Sequence, residues 1–482
     1  MLSPLLIISI LVLYFSVLII IGKITSKNSN NDAFFIGERK SPWYIVAYGM
    51  IGATLSGITF LSVPGWVGES EFFYFQMVLG YVPGYLFVAY ILMPVYYRLK
   101  LYSIYGYLGE RFGFFSHKCG AAYFFMSRLL GASLRLYIVA FVLQSLLFDE
   151  LGIPFSITTL LTIILIWLYT YKGGIKTIIW TDTLQTSFIL LTLVACLFML
   201  FNNLGFNSLS DSLSHSQLNF RIFSFSDFKN SSHFFRSFLS GMFIAIAMTG
   251  LDQDMMQKNL SCKDIKDAQK NMIWFSVILV LVNILFLYLG ALLYQYVDAN
   301  NLQTVGGDKL FIDVIQKGDL GIFIFVLFLL GLISAAYSSA DSALTSLTTC
   351  FYIDFLGLQD DHSLNGTYVR NVIHIMIAVL LFSVILLIHY FNNDSIIATL
   401  FLIASFTYGP LLGLFLFGLF TKRNIIDALV PIIVVISPIL SGLLYVYDIH
   451  IFKGFQFGPD LIIINGLITY IGLYLISTKS TI

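Results

Sequence analysis

The feature that most constrains this chain is the recurrence, along its whole length, of apolar stretches about 20 residues long, each able to cross a hydrocarbon core of about 30 Å. Backbone polar groups in lipid must be satisfied within their own segment, so such a chain folds into transmembrane helices. Thirteen spans are predicted, at 4–22, 42–68, 73–97, 118–148, 154–172, 176–203, 231–256, 269–297, 318–355, 368–391, 394–419, 424–447 and 458–477. Of the 482 residues 58% are hydrophobic and 11% charged, against about 25% charged in soluble domains. A soluble protein is excluded, and residues 1–482 read as one membrane domain. The run from Pro4 to Gly22 has no positive residue before it and is too long for a signal-peptide core, so it is expected to remain as a helix.

Formal net charge is zero and no basic block stands out, which argues against a nucleic-acid partner or a polybasic lipid anchor. The expected partners are the bilayer and a small-molecule solute, with no obligate protein partner. Under strict alternation of the spans, 18 Lys and Arg residues, Lys258, Arg370 and Lys479 among them, fall on one side. Five, namely Arg221, Lys229, Lys309, Lys317 and Lys453, fall on the other. Positive residues concentrate on the cytoplasmic side, so a multi-pass protein of the cell (inner) membrane is expected, with the N-terminus outside and the C-terminus in the cytoplasm. The outer connections 203–230 and 298–317 are rich in Asn, Ser, Asp and Gly. Cys119, Cys196, Cys262 and Cys350 are far apart and read as packing residues. There is no HExxH, GxSxG or Walker loop, so the chain does not read as an enzyme.

Polar groups tolerated inside a membrane mark function, because a charge at its centre costs about 2.5–3.5 kcal/mol or more. Four places qualify. The second span contains Gly52-Ala53-Thr54-Leu55-Ser56-Gly57-Ile58-Thr59, a poor helical stretch. It reads either as a break that frees carbonyls for a cation or as a close helix contact through small residues. In the ninth span Ser334, Ser338, Asp341, Ser342 and Thr345 fall at i, i+4, i+7, i+8 and i+11, forming one oxygen-rich stripe. Oxygen ligands suit hard cations, while the alternative is hydroxyls bonded back to their own helix. Asp182 lies six residues into the sixth span, either as a group complementing the helix dipole or as a carboxylate sharing an ion or proton with Asp341. Arg128 and Arg135, seven residues apart in the fourth span, need anionic partners, from another helix or from a solute.

The chain resembles the sodium/solute symporter family, which includes the proline, galactose and sialic acid transporters. The resemblance runs over nearly the whole chain and is carried by Gly173-Gly174-Ile175 leading into Trp180-Thr181-Asp182 and Gln185, by Ser338-Ser339, and by Asp252-Gln253 followed by Gln257-Lys258. It implies an all-α membrane fold of the leucine-transporter type, a 5+5 inverted repeat, with a first repeat at 42–203, a second at 231–419, an extra N-terminal helix at 4–22 and two C-terminal helices at 424–477. By similarity, sodium would be held by the carbonyls of Gly52, Leu55 and Ala335 and the hydroxyls of Ser338 and Ser339. A second cation, present in some members, would involve Asp182, Ser338, Asp341 and Ser342, although Asp341 stands where the resemblance leads one to expect a serine. Ile58-Thr59 and Ala245 depart from the sugar-carrying branch, which has Glu-Gln and Asn there. Ser56, Thr59, Gln76 and Arg135 are the expected solute contacts, and a carboxylate-bearing solute such as sialic acid the expected cargo. The rival readings are a proton-coupled, sugar or amino-acid symporter of the same fold, a channel, and a membrane sensor.

Overall fold

The computed structural model describes residues 4–27, 29–208, 211–212, 220–359, 363–391, 396–447 and 454–478. Lys453 and Lys479, used above in the charge count, lie outside them. The main helices are α1 (Pro4–Thr25), α2 (Trp43–Thr54), α3 (Gly57–Ser70), α4 (Tyr74–Arg98), α5 (Phe114–Phe148), α6 (Phe155–Thr170), α7 (Ile175–Asn203) and α8 (Phe234–Gly250). They continue with α9 (Gln253–Leu260), α10 (Ile265–Ala299), α11 (Gly321–Phe355), α12 (Leu364–Phe391), α13 (Ile396–Phe420), α14 (Val430–Val446) and α15 (Leu461–Leu475). Among the described residues nine helices are long and apolar enough to span a membrane; two bent pairs, α2 with α3 and α8 with α9, each make one more. The shorter apolar helices α6 and α15 complete the thirteen predicted spans.

Both bends have a local cause. After Thr54 the chain leaves the helix at Leu55 (φ −76°, ψ 65°) and Ser56 (ψ 171°), and α3 departs at 58° to α2. The Ser56 N–H turns to the Thr54 carbonyl at 2.9 Å, so the Gly52 carbonyl loses the partner a continuous helix would give it. Between α8 and α9 the bend is 64°. Here Asp252 caps the new helix, accepting from the backbone N–H groups of Asp254 at 2.9 Å and Met255 at 3.3 Å. The carbonyls of Gly250 and Leu251, which end the preceding segment, are taken by the hydroxyls of Tyr96 (2.9 Å) and Tyr105 (2.8 Å).

Helix α11 is the axis of the molecule: every residue from Gly331 to Cys350 is buried, so its polar stripe faces protein and not lipid. Helices α4 and α8 meet through two glycines. A Cβ on Gly80 would reach the Phe238 carbonyl at 2.0 Å, and one on Gly241 the Met77 carbonyl at 2.0 Å, a backbone approach that larger residues forbid. Helix α1 leans on α11 through Tyr14, whose hydroxyl is 3.1 Å from that of Ser334, and Phe15, whose ring lies 5.1 Å from Tyr337. Helices α14 and α15 pack outside α13, with Asn465 donating to the Ser405 carbonyl at 2.9 Å.

Two expectations need correction. Lys258 and Arg370 were assigned to the inner surface, but they are 1% and 3% exposed. The seventh span does not end at residue 256: after the bend it continues as α9, all eight of whose residues are buried. Lys258 therefore lies inside the protein. Arg370 donates to Asn31 at 2.9 Å and stacks its guanidinium 4.4 Å over the Phe34 ring.

Candidate cation and solute sites

The break in the second span and the stripe of α11 face each other. Ser339 donates its hydroxyl to the Ala53 carbonyl at 3.0 Å, beside the Gly52 carbonyl that the break releases. The approach of α7 fixes this corner: Gly52 N–H donates to Thr186 Oγ1 at 3.1 Å, and a Cβ on Gly52 would meet that oxygen at 2.2 Å. The donor set near the break consists of uncharged oxygens from backbone and hydroxyl groups. That chemistry fits a hard, weakly held monovalent cation and disfavours transition metals. Among the described residues no group of three or more His, Cys, Asp or Glu could hold a metal.

Ser338, one residue away and so rotated about 100° around α11, turns elsewhere. It donates to Asp182 Oδ1 at 2.6 Å, while the Lys258 ammonium donates to Asp182 Oδ2 at 2.7 Å. Asp341 accepts from the Tyr169 hydroxyl through Oδ2 at 2.8 Å; its Oδ1, Ser342 Oγ and Thr345 Oγ1 are buried without hydrogen-bond partners. Of the five residues proposed for sodium, Ser339 thus reaches the break, Ser338 serves Asp182, and Ala335 is fully buried on the same helix. Lys258 and Tyr169 were not read as site residues. Their signals were present: a lysine within the polar run Gln253-Asp254-Met255-Met256-Gln257-Lys258-Asn259, and a tyrosine near the C-terminal end of a short span.

An open cavity of about 830 Å³ lies on the other side of the break. Its wall includes Ser56, Thr59 and Arg135, three of the four residues named as solute contacts, together with the tyrosine row Tyr74, Tyr81 and Tyr85 of α4 and Asn283 of α10. The two arginines of α5 part ways. Arg128 forms a buried ion pair with Asp254 and reaches the Ser339 carbonyl at 3.4 Å. Arg135 has no ion pair among the described residues, and its Nε lacks a hydrogen-bond partner. Gln76 is not in this wall. Its amide donates to the carbonyls of Ser232 (2.9 Å) and Phe73 (3.2 Å) and accepts from Ser224 N–H (3.1 Å), pinning the segment that leads into α8. The tyrosines are spaced at i, i+7 and i+11 on one helix face, a pattern present in the sequence but not among the expected solute contacts.

A second cavity of about 980 Å³ is lined by Trp66, Glu69 and the serines 231 and 232. Tyr74 lines both cavities. Its ring is 5.9 Å from Trp66 and its hydroxyl 3.3 Å from that of Tyr81. Beside this second cavity, Glu71 takes two bonds from Arg221, at 2.7 and 2.9 Å, which hold its carboxyl below the usual range.

Comparison with known proteins agrees with this architecture. The chain is 25% identical over 470 residues to a sodium/sialic acid symporter of Proteus mirabilis, covering 95% of this chain and 93% of that one. It is 25% identical over 462 residues to a sodium/sialic acid symporter of Aliivibrio fischeri, covering 92% and 88%. A solved Na⁺-coupled sialic acid symporter, in a substrate-bound outward-open state, superposes with a TM-score of 0.84 at 21% identity, covering 98% of this chain and 99% of that one. That likeness establishes the fold, a helical membrane protein of the leucine-transporter type. The model of the sodium:solute symporter family matches residues 34–434, and the chain belongs to that family.

Proposed function

We propose that the protein couples inward movement of sodium to uptake of a small carboxylate-bearing solute, with sialic acid the leading candidate. The observation that carries the substrate reading is Arg135, a guanidinium without an ion pair in the wall of a cavity bordered by the helix break. A guanidinium fork binds carboxylate bidentately, and Ser56, Thr59, Tyr81 and Asn283 add hydroxyl and amide groups suited to a polyhydroxylated body. The names of the relatives support the same cargo. Residues 42–203 and 231–419 are the two repeats, with the N-terminus outside and the C-terminus in the cytoplasm.

In this reading external sodium enters the break first, coordinated by carbonyls of Gly52, Leu55 and Ala335 and by Ser339. The ion joins the broken second span to α11 and thereby completes the solute cavity on the other face of the same break. Solute affinity rises with sodium, and by linkage sodium affinity rises equally with solute. An inside-negative potential adds about 2.3 kcal/mol per charge per 100 mV to inward movement of the ion. Tyr74, between the two cavities, closes behind the solute. The test is uptake of radiolabelled sialic acid into proteoliposomes with and without an inward sodium gradient. Accumulation above equilibrium only with the gradient supports the reading. Sodium-dependent stabilisation of the purified protein without sialic acid uptake discards the cargo and keeps the coupling. Uptake driven equally well by a proton gradient with choline replacing sodium favours the proton-coupled rival.

A further inference from the structure

We propose that the Lys258 ammonium is a built-in substitute for a second coupling cation, so that this transporter moves one sodium ion per cycle. The inference rests on the sodium-coupled reading above and concerns the Asp182 side of α11, not the break.

The residues suited to a second cation, Asp182, Ser338, Asp341 and Ser342, are assembled, but the place beside Asp182 is taken. Both of its carboxylate oxygens are engaged, Oδ1 by Ser338 at 2.6 Å and Oδ2 by Lys258 at 2.7 Å. An ammonium is a compact monovalent charge with three donors and no acceptor, so it meets Asp182 as a small metal cation would. Lys258 is 1% exposed and sits on a half-helix whose eight residues are all buried. Displacing it would strand an unpaired charge in the interior. It is also tethered. A group carried on its own chain competes at an effective concentration of millimolar or more without being diluted, whereas sodium must arrive from solution and lose its water. The link joins α7 of the first half to α9 of the second, so the fixed cation also cross-braces the two halves. Asp341, where the resemblance leads one to expect a serine, adds a carboxylate whose Oδ1 has no partner, and it offers the obvious rival place for a second ion.

The test counts sodium. Purified protein is titrated with sodium at constant ionic strength, reading thermal stabilisation, and bound radioactive sodium is counted by equilibrium dialysis. The wild type is expected to bind one ion per chain with a Hill slope of about 1, and Asp182→Asn is expected to leave that slope unchanged. Lys258→Gln, which removes the charge and keeps the length, is expected to raise the slope toward about 2, and Lys258→Gln/Asp182→Asn to return it to about 1. Lys258→Arg should behave as the wild type. Two ions bound per wild-type chain overturn the proposal, and a fall to one in Asp341→Ser would then locate the second ion at Asp341. A slope of about 1 in folded Lys258→Gln also overturns it. Should Lys258→Gln fold only at high sodium, that rescue itself supports substitution of ion for ammonium; should it not fold at all, the wild-type count decides. A wild type indifferent to sodium in every readout defeats the sodium-coupled reading instead, so the two failures are distinct.

Discussion

The two broken spans, α2 with α3 and α8 with α9, are finished with different chemistry. The oxygens that face the break at Leu55-Ser56 are carbonyls and hydroxyls, Ser339 is the α11 side chain that bonds there, and the Arg128 and Arg135 guanidiniums stand in the wall of the adjoining cavity. The break at Leu251-Asp252 is dense with charge, and each charge already has a partner. Asp252 caps α9 and accepts from the Tyr408 hydroxyl, Asp254 pairs with Arg128, and Lys258 pairs with Asp182. A corner of uncharged oxygens with spare acceptor capacity can bind and release an ion with small rearrangement. A corner of paired ions holds its shape, because removing either partner leaves an uncompensated charge inside. Under the proposed function the first break exchanges an ion and the second anchors the helices around it.

The harshest way to break this comparison is Asp254→Ala. It strips Arg128 of its partner in a place where Asp254 is fully buried, and a cost of about 3–5 kcal/mol is expected. It should appear as loss of monodisperse protein after detergent extraction, at any sodium concentration. Ser339→Ala should do the reverse: near-normal folding, with sodium-driven uptake falling by about 10- to 100-fold, the equivalent of about 1.4–2.7 kcal/mol, and the sodium-induced thermal shift lost with it. If Asp254→Ala instead remains monodisperse and as stable as the wild type, the second break is not an anchor and the contrast fails. Arg135→Gln removes the free guanidinium without unpairing any acid. It should raise the KM for an acidic solute by about 10-fold, roughly 1.4 kcal/mol, while sodium still stabilises the protein. A neutral solute transported equally well by both would remove Arg135 from the recognition of charge.

Much of this was legible in the sequence because two periodicities carried it. Apolar run length gave the thirteen spans, and the 334–345 spacing on the ninth placed a polar stripe that the fold puts wholly inside. The glycines and hydroxyls at 52–59 marked the first break. What escaped is where geometry reverses a local reading. Lys258 falls near the predicted end of a span, where a lysine ordinarily reaches water by snorkelling; a 64° bend instead carries that end back into the protein. Ser338 and Ser339 look like one motif but diverge by a third of a turn, one toward Asp182 and one toward the break. No spacing marks Tyr169 or Tyr14, and only the fold shows their hydroxyls against Asp341 and Ser334. Gln76 pins a connecting segment whose backbone no periodicity places.

The mildest effect is expected where an exposed ion pair accompanies the first broken span, at the C-terminal end of α3. Glu71 closes α3 and is held by Arg221, a residue 68% exposed in its side chain. The bonds lower the folded-state pKa of Glu71 below its ordinary value of 4.5. A group depressed in the folded state contributes its stability above the unfolded pKa and loses it as pH falls through the folded pKa. Glu71→Gln should therefore melt slightly below the wild type at pH 7, and the difference should shrink as pH drops below 4.5. Raising salt at pH 7 should shrink it as well, since an exposed pair is screened. The buried Asp182–Lys258 pair should be insensitive to the same salt. An equal salt response from both would mean that water reaches the inner pair, and the distinction between an exchanging corner and an anchoring one would have to be drawn by ion occupancy alone.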